Sequence, residues 1–309
     1  MSDLRSIFSE YKSGKMDKHQ YIANMHKKHL TLFEYADYLK ETDIESIHVD
    51  ENDIYVVLRE SGIKLYVDRY DSRFIPIEIL NFHSFDPIEK DLIYKLAEKS
   101  KTIFDVGGNI GWYTLNFSLL SGVDKVHTFE PIPRTFDFLK RHVAFNNIDN
   151  VIINNFALSD RQGISEFYWS EKETGSSSMR NIQDRESVNK VECKLETLDQ
   201  YVKENNCVVD MIKCDVEGSE LFVFKGGKKT IERDKPFIFT EMLRKWSAKF
   251  DYHPNDIILF FGGIGYRCFA YMDNGLEEFD SIDEKTKPTN YFFLHNDKHK
   301  NIINSLGFL

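Results

Sequence analysis

The sequence predicts an α/β protein: an open, mostly parallel sheet with helices on both faces, preceded by an accessory helical and small β region. Three observations predict it. From Lys101 onward, short apolar runs alternate with helical periodicities, as repeated β-α units require. Residues 208–214 are almost continuously apolar, the pattern of a strand covered on both faces. Residues 101–106 run directly into Gly107-Gly108-Asn109-Ile110-Gly111, a strand followed by a glycine turn and a helical pattern. Such a turn starts a nucleotide-type cleft, because the backbone there can approach a ligand closely.

The elements follow in order. Residues 1–45 are polar with scattered apolar positions (Tyr21, Met25, Leu32, Tyr35, Leu39), which predicts two or three amphipathic helices docking on the main body or on a second subunit. Residues 46–49, 54–58 and 63–67 alternate as strands between turn-forming breaks and predict a small antiparallel sheet. Asp86-Pro87 opens a helix through Leu96, with Ile88, Leu92 and Ile93 on its inner face. The main region continues with strand 101–106, helix 110–120, strand 126–130, helix 134–146, strand 151–157 and an exposed strand at 164–169. After a Gly/Ser-rich break at 174–178 come strand 191–195, helix 198–203, strand 208–214 and strand 237–240. Helix 256–261, strand 266–271 and strand 291–294 complete the pattern. The division falls at 84/85: an N-terminal region 1–84 and a main domain 85–309.

A chain of 309 residues has room for one large domain plus an accessory segment. The net charge of −10 argues against a mainly electrostatic nucleic-acid partner. No run approaches the ~18 apolar residues of a membrane span, and Met1-Ser2-Asp3-Leu4 opens no hydrophobic signal core, so a cytoplasmic location is expected. Cys193, Cys207, Cys214 and Cys268 form no C-x-x-C pair and read as buried free thiols. His26 and His29 have helical spacing but no third ligand nearby, and read as a solvated face.

The chemistry concentrates at strand ends. Asp105, Glu130, Asp215 and Glu241 each close a strand, where an open α/β sheet binds its ligands. The glycine turn matches neither G-x-G-x-x-G nor a P-loop, and Asp105 sets negative charge where a pyrophosphate would sit. A ligand with a cationic amino-acid end and no phosphate fits better. Gly107 and Gly111 would clear side chains from its path, and Asn109 tolerates an unusual backbone. Glu130, 19 residues beyond Gly111, can accept from both hydroxyls of a ribose.

Asp105-Val106-Gly107-Gly108-Asn109-Ile110-Gly111, Phe129-Glu130-Pro131, Asn155-Phe156-Ala157-Leu158-Ser159-Asp160, Ile212-Lys213-Cys214-Asp215-Val216-Glu217-Gly218-Ser219-Glu220 and Pro236-Phe237-Ile238-Phe239-Thr240-Glu241 together resemble the FkbM family of methyltransferases, in the same order over roughly residues 85–295. The resemblance implies a class I, Rossmann-like methyltransferase fold with seven strands, one of them antiparallel, and S-adenosylmethionine as donor. It implies methylation of a hydroxyl on a sugar, glycan or polyketide, as in bacterial surface polysaccharide or natural-product biosynthesis. Asp105, Gly107, Asn109 and Gly111 match the donor turn, and Gly108 stands in it where many members carry alanine, a departure expected to be harmless at a turn. Glu130 matches the ribose acid, and Ala157 the loop bordering the adenine.

An aliphatic hydroxyl needs its proton removed as it attacks, which calls for a base or a metal. Asp215 or Glu241 is expected to position or deprotonate the acceptor, with Lys213 tuning both and Glu217 beside them. The alternatives are a divalent-metal site formed by these acids, or a salt-bridged structural cluster involving Glu217 and Glu220. Ser176 and Ser177, in a loop that matches a family segment, are candidate substrate contacts on a flexible lid. Trp169, Trp246, Tyr252 and His253 are weaker acceptor candidates. A homo-oligomer through the N-terminal region is a further expectation. Against the methyltransferase stand a nucleotide-dependent oxidoreductase, a methyltransferase of a non-sugar hydroxyl and a non-catalytic donor-binding module.

Overall fold

The computed structural model describes residues 3–86, 89–272 and 275–305. Three N-terminal helices, Leu4–Lys12, Lys18–His29 and Thr31–Tyr38, come first. Asp3 caps the first by accepting from the Ser6 N–H (2.6 Å), and Asp17 and Gln20 form a reciprocal capping box on the second. An antiparallel meander follows as expected: β1 (Ile44–Val49), β2 (Ile54–Leu58) and β3 (Lys64–Tyr66).

The remaining strands are β4 (Thr102–Val106), β5 (Lys125–Phe129), β6 (Val151–Asn154), β7 (Ala157–Leu158), β8 (Gly163–Trp169), β9 (Asn189–Glu196), β10 (Met211–Cys214), β11 (Phe237–Glu241), β12 (Tyr266–Met272), β13 (Gly275–Glu278) and β14 (Asn290–His295). The main sheet has the order β13-β12-β14-β11-β10-β4-β5-β6, parallel from β11 through β6. β14 runs antiparallel to both of its neighbours. The seven expected strands are present, and an eighth, β13, pairs antiparallel at the edge. Its exposed Glu277 and Glu278 hid it from an apolar pattern search.

Several boundaries differ from expectation, each for a local reason. The strand expected over 151–157 splits, because Asn155 turns its amide onto the Glu130 carbonyl (2.9 Å) and Ala157–Leu158 pairs instead with β9. β8 also belongs to that small sheet (β7-β9-β8), outside the main one. β10 starts only at Met211, since the Asp210 carboxylate accepts from the Lys101 and Thr102 N–H groups (3.0 Å each) at the edge of β4. Helix 110–120 shortens to Trp112–Ser118, behind Gly111 at φ +98°. The helix expected from Asp86 begins at Lys90; Pro87 and Ile88 lie outside the described residues. The helix Ile75–Phe82 was not foreseen, because its near-continuous apolar run gives no helical period.

Two cores cover the sheet. Ile103, Leu115, Met211, Phe239 and Phe292 lie on one side, joined by Ile44, Val56, Leu65 and Ile79 from the N-terminal region. Phe104, Val106, Ile212, Cys214, Phe224 and Phe261 lie on the other. This alternation puts Asp105 and Lys213, register partners across β4 and β10, on the same face as Ile103 and Met211. The pleat therefore sets one buried acid beside one buried base. His142 ties the meander to the glycine turn: it accepts from the Tyr66 N–H (2.9 Å) and donates to the Ile110 carbonyl (2.7 Å).

The turn after β4 depends on glycine for packing. A Cβ on Gly107 would lie 1.8 Å from the Asp215 carbonyl oxygen, and Gly107 has φ +79°. Gly107→Ala should cost roughly 3 kcal/mol in chemical denaturation. Gly175→Ala, whose Cβ would meet nothing closer than Asn109 Nδ2 at 3.8 Å, should stay within ~0.5 kcal/mol of the parent. Equal losses at the two positions would contradict this packing.

Candidate functional site

Strand order reverses between β4 and β10, and a crevice opens at their C-terminal ends, where open α/β sheets bind ligands. Its cavity volume is about 110 Å³. Gly107, Gly108 and Asn109 form its floor. Ile132, Ala157, Leu158, Phe167 and Met179 form an apolar wall, and Asp86, Lys213, Asp215 and Glu217 a polar one. Ser177 lies on the rim, while Ser176 lines a neighbouring cleft with Arg73, Phe82, Glu241 and Asn290. Asp86, Asn109, Asp215 and Glu217 border both spaces, so the two clefts meet there.

The glycines do not act as the sequence suggested. A Cβ on Gly111 would meet Leu139 Cδ1 at 2.7 Å, and one on Gly107 the Asp215 backbone, so both are required by protein packing rather than by a ligand's path. Gly111 does not line the cleft. Glycine at 108 suits this turn, since a Cβ there would fall 2.0 Å from Thr128 Oγ1 on a fully buried side chain.

Glu130 is buried, not a solvated strand-end acid. Oε1 accepts from the Ile132 N–H (2.9 Å) and the Thr135 hydroxyl (2.7 Å), and Oε2 accepts from the Asn109 N–H (2.8 Å). A carboxylate oxygen accepts about two hydrogen bonds, so Glu130 has room for one ribose hydroxyl rather than two. Burial pushes its pKa up, and these hydrogen bonds hold it back.

Asp105 is wholly buried and does not line the cleft. It accepts from the Thr114 hydroxyl (2.6 Å) and lies 3.4 Å from Lys213 Nζ. Lys213 donates to the Gly107 carbonyl (2.9 Å) and stands 3.8 Å from Asp215. Burial disfavours its charge, but the Asp105 and Asp215 carboxylates outweigh that and hold the ammonium above its ordinary range. Asp105 therefore faces the cleft only through Lys213.

The acids past β10 and β11 form an electrostatic cluster. Oxygens of Asp215, Glu217 and Glu241 lie within 4.8 Å of one another, a spacing that can take a cation. Burial, then repulsion from Asp215, pushes Glu241 up to about 9 and Glu217 well above the carboxylate range. Glu217 has φ +54°, and the Ser178 hydroxyl donates to its carbonyl (2.8 Å). Glu220 differs from the salt-bridged expectation: it accepts from the Val216 and Gly218 N–H groups and the Tyr252 hydroxyl, and no cation pairs with it among the described residues.

Asp86 was missed as a site residue. It accepts from the Tyr113 hydroxyl (2.8 Å), and burial raises it to about 6. Its sequence signal, Asp-Pro, reads as a helix start, which disguised its place at the junction. The 174–178 loop is anchored rather than a free lid, since Thr174 donates through N–H and hydroxyl to Asp71, and Ser178 pairs with Tyr168. Trp169, Trp246, Tyr252 and His253 line neither cleft.

S-adenosylmethionine fits this set of groups. Asn109 Oδ1 and Asp215 Oδ1 are buried acceptors without a partner, Glu130 Oε2 keeps acceptor capacity, and the apolar wall suits a heteroaromatic ring.

The profile of the "Methyltransferase FkbM domain" matches residues 105–268. The chain is 26% identical over 145 residues to "Methyltransferase 1" of Beauveria bassiana, an alignment spanning 40% of this chain and 57% of that protein. It is 26% identical over 168 residues to "2-O-methyltransferase NoeI" of Sinorhizobium fredii, spanning 50% of this chain and 68% of that one. Among solved structures, it is similar to a methyltransferase FkbM from Methylobacillus flagellatus, with a TM-score of 0.40, 17% identity, and coverage of 63% of this chain and 44% of that one. No described helix is long and apolar enough to cross a membrane.

The raised Glu241 gives a stability test. Its folded pKa of about 9 lies above the ordinary value of 4.5, so the folded state binds this proton more tightly than the unfolded one. Stability from this group is full below pH ~4.5 and is lost as pH rises toward 9. Glu241→Gln should therefore raise Tm by a few degrees at pH 8 and leave it little changed at pH 5. An equal or lower Tm at pH 8 would contradict the repulsion.

Proposed function

The chain belongs to the FkbM methyltransferase family, whose domain uses S-adenosylmethionine, and on that premise we propose that the whole protein methylates a hydroxyl of a sugar, glycan or similar polyhydroxylated acceptor. The observation that carries this reading is the junction at Asp86 and Asp215. There the cleft at the β4 turn opens into a second, polar cleft of about 430 Å³. That second cleft offers Ser176, Glu241, Asn290 and Arg73 as hydrogen-bonding groups, and the exposed ring of Phe82 as a face for a sugar to stack on. The 2-O-methyltransferase among its relatives agrees with a hydroxyl acceptor. A polyketide or lipid hydroxyl is disfavoured by the polar lining. A nucleic-acid acceptor is disfavoured by the acidic junction and the net charge of −10. Four cysteines without disulfides suit a cytoplasmic setting.

When bound, S-adenosylmethionine supplies an electrophilic methyl group on a positively charged sulfur. Glu130 and Asn109 would hold its ribose end, and Ala157, Leu158 and Phe167 its ring. Asp215, fixed by Lys213, orients the acceptor hydroxyl and takes its proton, with Asp86 facing the same junction. Glu241 and Glu217 hold protons near neutral pH, which makes them hydrogen-bond donors to acceptor oxygens rather than bases. Lys213 already supplies a fixed positive charge beside Asp215, so a side-chain base is the favoured reading over a metal at the Asp215, Glu217 and Glu241 trio.

Calorimetry with S-adenosylhomocysteine and turnover on a panel of monosaccharide glycosides separate these roles. Glu130→Gln should weaken binding by about tenfold or more, one charge-assisted hydrogen bond's worth. Asp215→Asn should bind within about threefold of the parent yet lose ~100-fold or more in turnover. Undiminished binding by Glu130→Gln would overturn the donor assignment. Strong chelation should leave turnover unchanged; a loss restored by Mg²⁺ would assign the three acids to a metal.

A further inference from the structure

The N-terminal arm is the least buried part of the molecule. Across residues 3–41 only Ile7 is buried. Every residue of the helix Thr31–Tyr38 is exposed, including Leu32 at 65% and Phe33 at 68%. An isolated eight-residue helix is unstable in water, and most helical stability comes from packing an apolar face. This arm has little to pack on within its own chain: Tyr38 reaches the Leu80 carbonyl (2.7 Å) and the His83 ring, and the helix otherwise touches the turn after it and the helix before it.

Its charge is sharply divided. Residues 12–29 carry five lysines against one aspartate, net +4, and none of those lysines makes an ion pair among the described residues. Residues 30–60 carry nine carboxylates against Lys40 and Arg59, net −7. The two stretches are complementary to each other but adjacent in one chain. Where the arm joins the body, a groove walled by Leu58, Tyr94, Trp112 and the half-exposed Leu119 lies beside Asp43 and Glu60.

We propose that this arm pairs two copies of the chain about a two-fold axis, the basic helix Lys18–His29 of one lying against the acidic stretch 30–60 of the other. Leu32 and Phe33 are then buried between the copies. A two-fold contact must be self-complementary, and a basic segment followed by an acidic one meets that condition when paired antiparallel. The groove sits next to the end of the arm, where it joins the body, and within the acidic stretch, so both reciprocal contacts fall in one continuous interface. An anionic membrane suits the surface less well, because the two most exposed apolar residues of the arm, Leu32 and Phe33, lie beside Glu34 and Asp37, whereas the basic helix exposes only Ile22 to a comparable degree. Trp112 lines both the groove and the donor cleft, so the interface abuts the site.

Sedimentation velocity on the full chain tests this at about 50 µM, in about 0.05 M and 0.5 M NaCl. The expected result is a dimer at low salt that weakens by tenfold or more at high salt. Phe33→Asp and the double variant Lys27→Glu/Lys28→Glu should both be monomeric, with unchanged circular dichroism, since all three side chains are exposed or part-exposed. A monomer at about 50 µM in low salt overturns the proposal, as does a dimer that survives Phe33→Asp. A monomer that co-sediments with phosphatidylserine vesicles also overturns it, assigning the arm to a lipid surface.

Discussion

One buried ammonium holds the candidate site together. Lys213 lies at the centre of the sheet, where strand order reverses, and reaches the Gly107 carbonyl, Asp105 and Asp215 at once. Burying a lone charge costs several kcal/mol. The register pairing of Lys213 with Asp105 offsets that cost, and the bond to the Gly107 carbonyl ties β10 to the turn after β4. Removing Lys213 would leave the buried Asp105 with only the Thr114 hydroxyl to balance it, so the pair sets the shape of the cleft floor rather than merely decorating it.

Much of the surrounding structure follows from that constraint. The β4 turn must run close to the Asp215 backbone, which forces glycine at 107. The Glu130 carboxylate then holds the Asn109 N–H, and His142 holds the Ile110 carbonyl, so the turn is fixed from three sides. Because His142 also binds the Tyr66 N–H, the small N-terminal sheet is part of the same support. Beyond the turn, Asp86, Glu217 and Glu241 converge near Lys213, whose charge acts on all three, yet each is pushed toward its protonated form. Asp86, raised only to about 6, stays mostly ionised near neutral pH and sets a negative charge that suits a cationic sulfonium donor, while Glu217 and Glu241 hold their protons and can donate hydrogen bonds.

The sheet and the positions of the strand-end acids were legible in the sequence because they rest on local signals: apolar runs of strand length, a glycine turn, and carboxylates where those runs stop. The roles were less legible. Asp105 and Glu130 look alike in sequence, but the pleat turns Asp105 away from the cleft onto Lys213, whereas Glu130 lines it. Asp86 was hidden because its partner, Tyr113, is 27 residues away and its own neighbours spell a helix start. β13 was hidden by its glutamates, and Ile75–Phe82 by an apolar run with no period. For Asp105 and Asp86 the deciding contact is long-range, and no window along the chain contains it.

Hydrogen–deuterium exchange with and without S-adenosylhomocysteine tests the central claim directly, because it reports where the ligand sits without needing the acceptor. Protection should appear in the turn after β4 (106–111), at the end of β5 (129–132) and around β7 (156–158), the three segments that close the cleft at Lys213. Binding that protects other segments and leaves the β4 turn unchanged would contradict the account.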